Sequence, residues 1–207
     1  SGTRNEVTWP IRADLSGTPG MLKMEITREN MTHSNVAMMV NGLRYDHPYQ
    51  YALRVLIKAI GGGMYSKLFT RIREELGLCY SVGMTYDYLT FPDIQTVNIY
   101  GGTSPKNVAE FMEESEKILA YVVEKGIDED LFECAKMDMI SSILMATETS
   151  MGKLHTFAQP YLFGIPRTLE TVMMDIRNVT VDDCNEVAKI VLDGPHNWAI
   201  MNPTSEE

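Results

Sequence analysis

Between Met21 and Thr27 the apolar residues Leu22, Met24 and Ile26 alternate with Lys23, Glu25 and Thr27. A period of two places the apolar set on one face of an extended chain, so the stretch predicts a half-buried strand. His33–Val40 predicts a second strand. After the turn Asp46-His47-Pro48, Ala52, Leu53, Leu56, Ala59 and Ile60 recur at helical spacing, and Gly61 is a natural stop. A further helix, Ser66 to Leu76, would bury Leu68, Phe69, Ile72 and Leu76 before Gly77 ends it.

From Cys79 to Leu89 the alternation is cleaner. Tyr80, Val82, Met84, Tyr86 and Tyr88 fall on one face, and Ser81, Gly83, Thr85 and Asp87 on the other, as in a strand with one buried side. Phe91-Pro92-Asp93 turns the chain, and Ile94–Tyr100 returns as its antiparallel neighbour, ending at Gly101-Gly102. The period then becomes helical. Ser104 before Pro105 is a start signal, Val108, Phe111, Met112, Ile118, Leu119 and Val122 share a face, and Gly126 stops the helix. Further helix starts fall at Asp128, Ser150, Thr168 and Thr180, the last with Asp183 in capping-box spacing. A short strand, Trp198–Met201, follows Gly194-Pro195. This order is neither a repeating βαβ pattern nor all-helical, and it predicts an α+β layer architecture.

At 207 residues the chain suits one large domain, residues 21–207, preceded by an extended arm or linker over residues 1–20. A net charge of −10 with scattered basic residues argues against nucleic acid as a partner. No apolar run approaches the roughly 18–20 residues of a membrane-spanning helix. The three cysteines, Cys79, Cys134 and Cys184, are odd in number, widely spaced and lack a C-x-x-C pair, so buried thiols in a reducing compartment are expected. The expected compartment is cytoplasmic, although a signal could lie upstream of Ser1. The 15 methionines fit either pliable core packing or a recognition surface.

Candidate chemistry is sparse. Gly61-Gly62-Gly63-Met64-Tyr65-Ser66-Lys67 is rich in glycine, but it lacks a Gly-Lys-Ser/Thr ending and joins two predicted helices, so a tight turn is expected instead of a phosphate loop. His33, His47, His155 and His196 lie far apart, and neither H-x-x-E-H nor H-E-x-x-H occurs. No G-x-S-x-G elbow is present, and Cys79 has no base nearby in sequence. The pairs Glu74/Glu75 and Glu113/Glu114 fall on predicted exposed helix faces.

One block is distinctive: Gly-Gly-Gly-Met-Tyr-Ser-Lys-Leu-Phe-Thr-Arg-Ile-Arg-Glu-Glu-Leu-Gly-Leu-Cys-Tyr, from Gly61 to Tyr80. It resembles the C-terminal half-domain of the pitrilysin, insulinase and mitochondrial processing peptidase family. There a glycine-rich turn precedes Leu-Phe, an Ile-Arg-Glu and a Gly-Leu-x-Tyr-x-Val. The resemblance covers roughly residues 33–202, and it implies a two-layer sandwich whose mostly antiparallel sheet carries helices on one face. It also implies a division of labour. An N-terminal half bears zinc in H-x-x-E-H, and the C-terminal half holds no metal and helps enclose an extended peptide substrate.

In active family members an arginine, and a tyrosine seven residues later, reach from this half toward the substrate, and they match Arg73 and Tyr80. The resemblance thus implies that Arg73 hydrogen-bonds peptide carbonyls and that Tyr80 donates to a developing oxyanion. From the residues alone, Arg73 could equally complement a helix C-terminus, and Tyr80 could pack with Val82 and Met84. The expected function is the non-zinc half of a zinc metallopeptidase, inactive alone and completed by a zinc-bearing half or subunit. A non-catalytic assembly subunit of the family and a peptide- or small-molecule-binding module are the alternatives. An acidic chamber wall, inferred from the net charge, would favour basic or neutral peptides.

Overall fold

A computed structural model describes residues 22–88, 95–162 and 164–204. The expected arm over residues 1–20, the turn Phe91-Pro92-Asp93 and the flanking Leu89 and Ile94 lie outside the described residues. Among the described residues, five strands form one open sheet: β1 (Lys23–Arg28), β2 (Ser34–Asn41), β3 (Cys79–Tyr88), β4 (Gln95–Thr103) and β5 (Asn197–Pro203). Their spatial order is β1-β5-β2-β4-β3. The β2/β4, β2/β5 and β3/β4 pairs are antiparallel, and only β1/β5 is parallel. Among the described residues β3 is therefore an edge strand, with one row of backbone groups outside the sheet.

β2 sorts its side chains by alternation, but β1 corrects the expected half-buried strand: it is exposed at every residue, Met24 and Ile26 included, because it lies at the outer edge of the sheet beside β5. In β2, Ser34, Val36, Met38 and Val40 are buried, and Asn35, Ala37, Met39 and Asn41 are exposed. The buried side packs under α1 (Gln50–Gly61), α2 (Val108–Lys125) and α6 (Val181–Leu192), and the opposite face is open among the described residues. This is the two-layer α+β arrangement, helices against one face of a mostly antiparallel sheet.

α1 is the central helix. Ten of its twelve residues are buried, including Leu53, Val55, Leu56, Ala59 and Ile60, and it touches α3 (Glu129–Ala146), α5 (Leu169–Asn178), α6 and β3. A helix apolar nearly all round must sit inside its domain. Each fully buried Leu or Ile there contributes about 1.5–3 kcal/mol by leaving water.

The start signals at Asp128, Thr168 and Thr180 act as expected. Asp128 caps α3 by accepting from the Leu131 N–H at 2.9 Å, and Thr168 and Thr180 close reciprocal boxes on α5 and α6. α4 spans Ser150–Leu162. Gly126, with φ of +79°, ends α2.

Three further expectations need correction. Pro105 opens a short 3-10 turn, Pro105–Asn107, ahead of α2, and Ser104 makes no side-chain cap. Glu114 is buried, because it accepts hydrogen bonds from Arg71 Nε at 3.0 Å and Lys117 Nζ at 2.8 Å. Of the cysteines, Cys184 is buried and Cys79 partly so, but Cys134 is exposed on α3.

Candidate functional site

The segment Ser66–Leu76 does coil, but it is not an ordinary α-helix. Residues Phe69–Glu75 form a π-helix, with the Leu76 N–H bonded to the carbonyl of Arg71, five residues back, at 3.1 Å. π-Turns are rare and concentrate at functional sites. Leu68 and Ile72 are fully buried and fix the inner face. Arg71 is pinned by Glu114 at 3.0 Å and Glu75 at 2.9 Å, which ties the π-helix to α2. Gly77, with φ of +60°, then turns the chain into β3 in a left-handed conformation that suits glycine.

Tyr80 departs from the alternation expected of β3. Cys79 pairs with Thr103 and Ser81 with Gly102, so Tyr80 is an extra residue with no partner on β4. This β-bulge shifts the side-chain parity: Val82 and Met84 pack inward, and Tyr80 swings out, 83% exposed. Bulges commonly re-aim a side chain in this way. The shared face with Val82 and Met84 is thereby corrected.

The two irregularities bring the expected pair together. The Arg73 guanidinium carbon lies 5.6 Å from the centre of the Tyr80 ring and 4.6 Å from that of Phe69. A guanidinium stacked between two rings gains about 0.5–1 kcal/mol per contact at an exposed site and is held in one orientation. Phe69 was expected in the core. Its four-residue spacing from Arg73 is the signal that could have marked it as a stacking partner. Among the described residues, the carboxylate in ion-pair range of Arg73 is its chain neighbour Glu74, at 3.8 Å.

The glycine-rich turn serves packing. A Cβ on Gly61 would lie 2.5 Å from both the nitrogen and the Cβ of Met84, so Gly61 lets α1 close onto β3. A Cβ on Gly62 would come within 2.6 Å of the Cα of Lys58. The turn is braced from α3, where Asp138 accepts from Lys58 Nζ at 2.9 Å and the Tyr65 hydroxyl at 3.0 Å.

Among the described residues no group of three His, Cys, Asp or Glu side chains could hold a metal ion. His196 is buried, with Nδ1 2.6 Å from Glu116 and Nε2 3.2 Å from the Leu192 carbonyl. Burial pushes the Cys79 thiol up to about 11, despite the nearby Arg73, and Cys184 up to about 12. Neither is a ready thiolate ligand or nucleophile at neutral pH.

The family model for the peptidase M16 inactive domain matches residues 14–139. The chain belongs to the peptidase M16 inactive-domain family. This M16 chain is 29% identical over 190 residues to an uncharacterized zinc protease of Mycobacterium tuberculosis, covering 91% of the chain and 42% of that protein. It thus spans less than half the length of that curated relative. Its fold matches a protease from Helicobacter pylori with a TM-score of 0.79 at 18% identity, over 89% of this chain and 44% of that one. A peptidase M16 inactive domain from Pseudomonas fluorescens matches with a TM-score of 0.78 at 16% identity, over 91% and 45%. No helix among the described residues is long and apolar enough to cross a membrane.

Proposed function

We propose that this M16 domain is the substrate-binding, non-catalytic half of a zinc peptidase, and that Arg73 and Tyr80 complete the active site of a zinc-bearing partner half. The observation that carries the reading is the stack at the mouth of β3, where a π-helix and a bulge together hold Arg73 against an exposed Tyr80. The bulge leaves Val82 and Met84 packed inward while Tyr80 turns outward, and the π-helix keeps Leu68 and Ile72 buried. Strained or irregular backbone of this kind is retained where it positions function.

In this reading an extended peptide meets the chain at the free edge of β3, whose outer backbone groups can pair with a strand. Arg73 donates to a peptide carbonyl, and its stack pre-orients the guanidinium so that little rotamer freedom is lost on binding. The Tyr80 hydroxyl donates to the substrate oxygen on which charge develops. Zinc belongs to the partner half, since these residues offer it no ligand set.

Mixing the chain with a zinc-bearing M16 half and following hydrolysis of a fluorogenic peptide tests the proposal. Arg73→Ala and Tyr80→Phe should each lower turnover by about ten-fold to a thousand-fold, with the melting temperature nearly unchanged. Their effects should be less than additive, because both groups act on one bound geometry. Full turnover in both variants would reduce the chain to an assembly subunit.

A further inference from the structure

Phe69 opens the π-helix and stands four residues before Arg73, so the two side chains rise from one side of the turn. Its ring is half-buried. Yet among the described residues Phe69 is not one of those that pack on the core, whereas Leu76, Cys79 and Val82, close by in the chain, are. Leu68 and Ile72 supply the buried side of the segment without it. A phenyl ring kept off the core forgoes much of the stabilisation that burial gives. What it does meet is the Arg73 guanidinium, whose carbon lies 4.6 Å from the ring centre.

The second ring of the stack is the weaker support. Tyr80 lies farther off, at 5.6 Å, and is 83% exposed on its bulge. Arg71, two residues before Arg73, shows another way to hold a guanidinium: Glu114 takes its Nε at 3.0 Å and Glu75 its Nη1 at 2.9 Å. Carboxylates fix an arginine by occupying its donors. A ring engages the face of the planar cation instead, and the N–H groups, which lie in that plane, stay outside the contact. Glu74, the carboxylate in range of Arg73 among the described residues, stands at 3.8 Å, beyond a hydrogen bond.

We infer that Phe69 is a positioning residue for Arg73: its ring fixes the plane of the guanidinium without consuming the N–H donors that the peptide needs, an inference that rests on the function proposed above. Phe69 acts through Arg73 alone. An arginine free to rotate loses side-chain entropy when it binds, and a stacked one has lost much of it beforehand.

NMR of the full chain and turnover of the complex test this together. In the chain, the ring current of Phe69 should shift the Arg73 side-chain resonances upfield; Phe69→Leu should remove most of that shift, and Phe69→Tyr, which keeps the ring face, should retain it. With a zinc-bearing M16 half and a fluorogenic peptide, Phe69→Leu should lower kcat/KM about three- to ten-fold, and Phe69→Tyr should recover most of the loss. In an Arg73→Ala background the same Phe69→Leu change should alter kcat/KM by less than about 1.5-fold, because nothing is left for the ring to orient. Melting temperatures should stay level, since the ring does not pack on the core. An upfield shift that survives Phe69→Leu, an unchanged kcat/KM, or an equal loss with Arg73 absent each overturns the positioning role. If Arg73→Ala still lowers turnover in that event, the proposed function stands. Arg73→Ala without effect overturns that function, and the role of Phe69 with it.

Discussion

A methyl group on Gly61 would collide with the backbone nitrogen of Met84, an atom that cannot step aside as a side-chain tip can. Gly61→Ala should therefore destabilise the domain by about 1–3 kcal/mol, the usual cost of overpacking. Gly63→Ala meets only the Tyr65 ring, at 3.0 Å, and should cost far less. Thermal melts of the two variants side by side check the contrast. Equal shifts would mean that the turn, and not the approach of α1 to β3, sets the demand for glycine. At this scale the sequence named Arg73 and Tyr80 through the block that contains them. It did not show that Phe69 would stack on the arginine, because an aromatic next to Leu68 in a helical pattern reads equally well as core.

The elements are joined by a few polar ties, and the one at Glu116 is open to a pH test. This α2 carboxylate accepts from Trp198 Nε1 of β5 at 2.7 Å and faces His196 Nδ1 at 2.6 Å, while His196 Nε2 meets the last-turn carbonyl of α6. Burial raises the Glu116 pKa, but these hydrogen bonds outweigh it and hold the carboxyl below its ordinary 4.5. A carboxylate with a depressed folded value stabilises the fold above its unfolded value, and loses that contribution as pH falls through the folded one. Glu116→Gln should thus lower the melting temperature at pH 7 by a few degrees, a modest effect because the side chain is 37% exposed. The gap to the unsubstituted protein should close as pH drops below about 4.5. A gap that stays constant down the acid limb would show that the tie acts through packing alone.

For the whole molecule, the proposed division of labour between two halves leads to a simple expectation. The purified chain alone should hold no stoichiometric zinc and hydrolyse no peptide, since a zinc site needs three or four converging ligands. Metal analysis and a fluorogenic peptide assay measure both. Chelator-sensitive hydrolysis by the chain on its own would overturn the half-enzyme reading.

Local signals along the chain are enough for the order of elements and most of their ends, and the Gly61–Tyr80 block is enough for the family. Period-two and period-3.6 patterns are local, and so are the signals of Asp128, Thr168, Thr180, Gly77 and Gly126, each of which acts within one turn of the chain. Where the irregularities fall depends on pairing between distant segments. The β3 bulge exists because Cys79 and Ser81 must pair with adjacent residues of β4, a constraint about 20 residues away that no local window contains. The burial of Glu114 likewise depends on Arg71 arriving from a different element. Side-chain periodicity states which residues share a face of one strand, and strand pairing alone states which of them become neighbours.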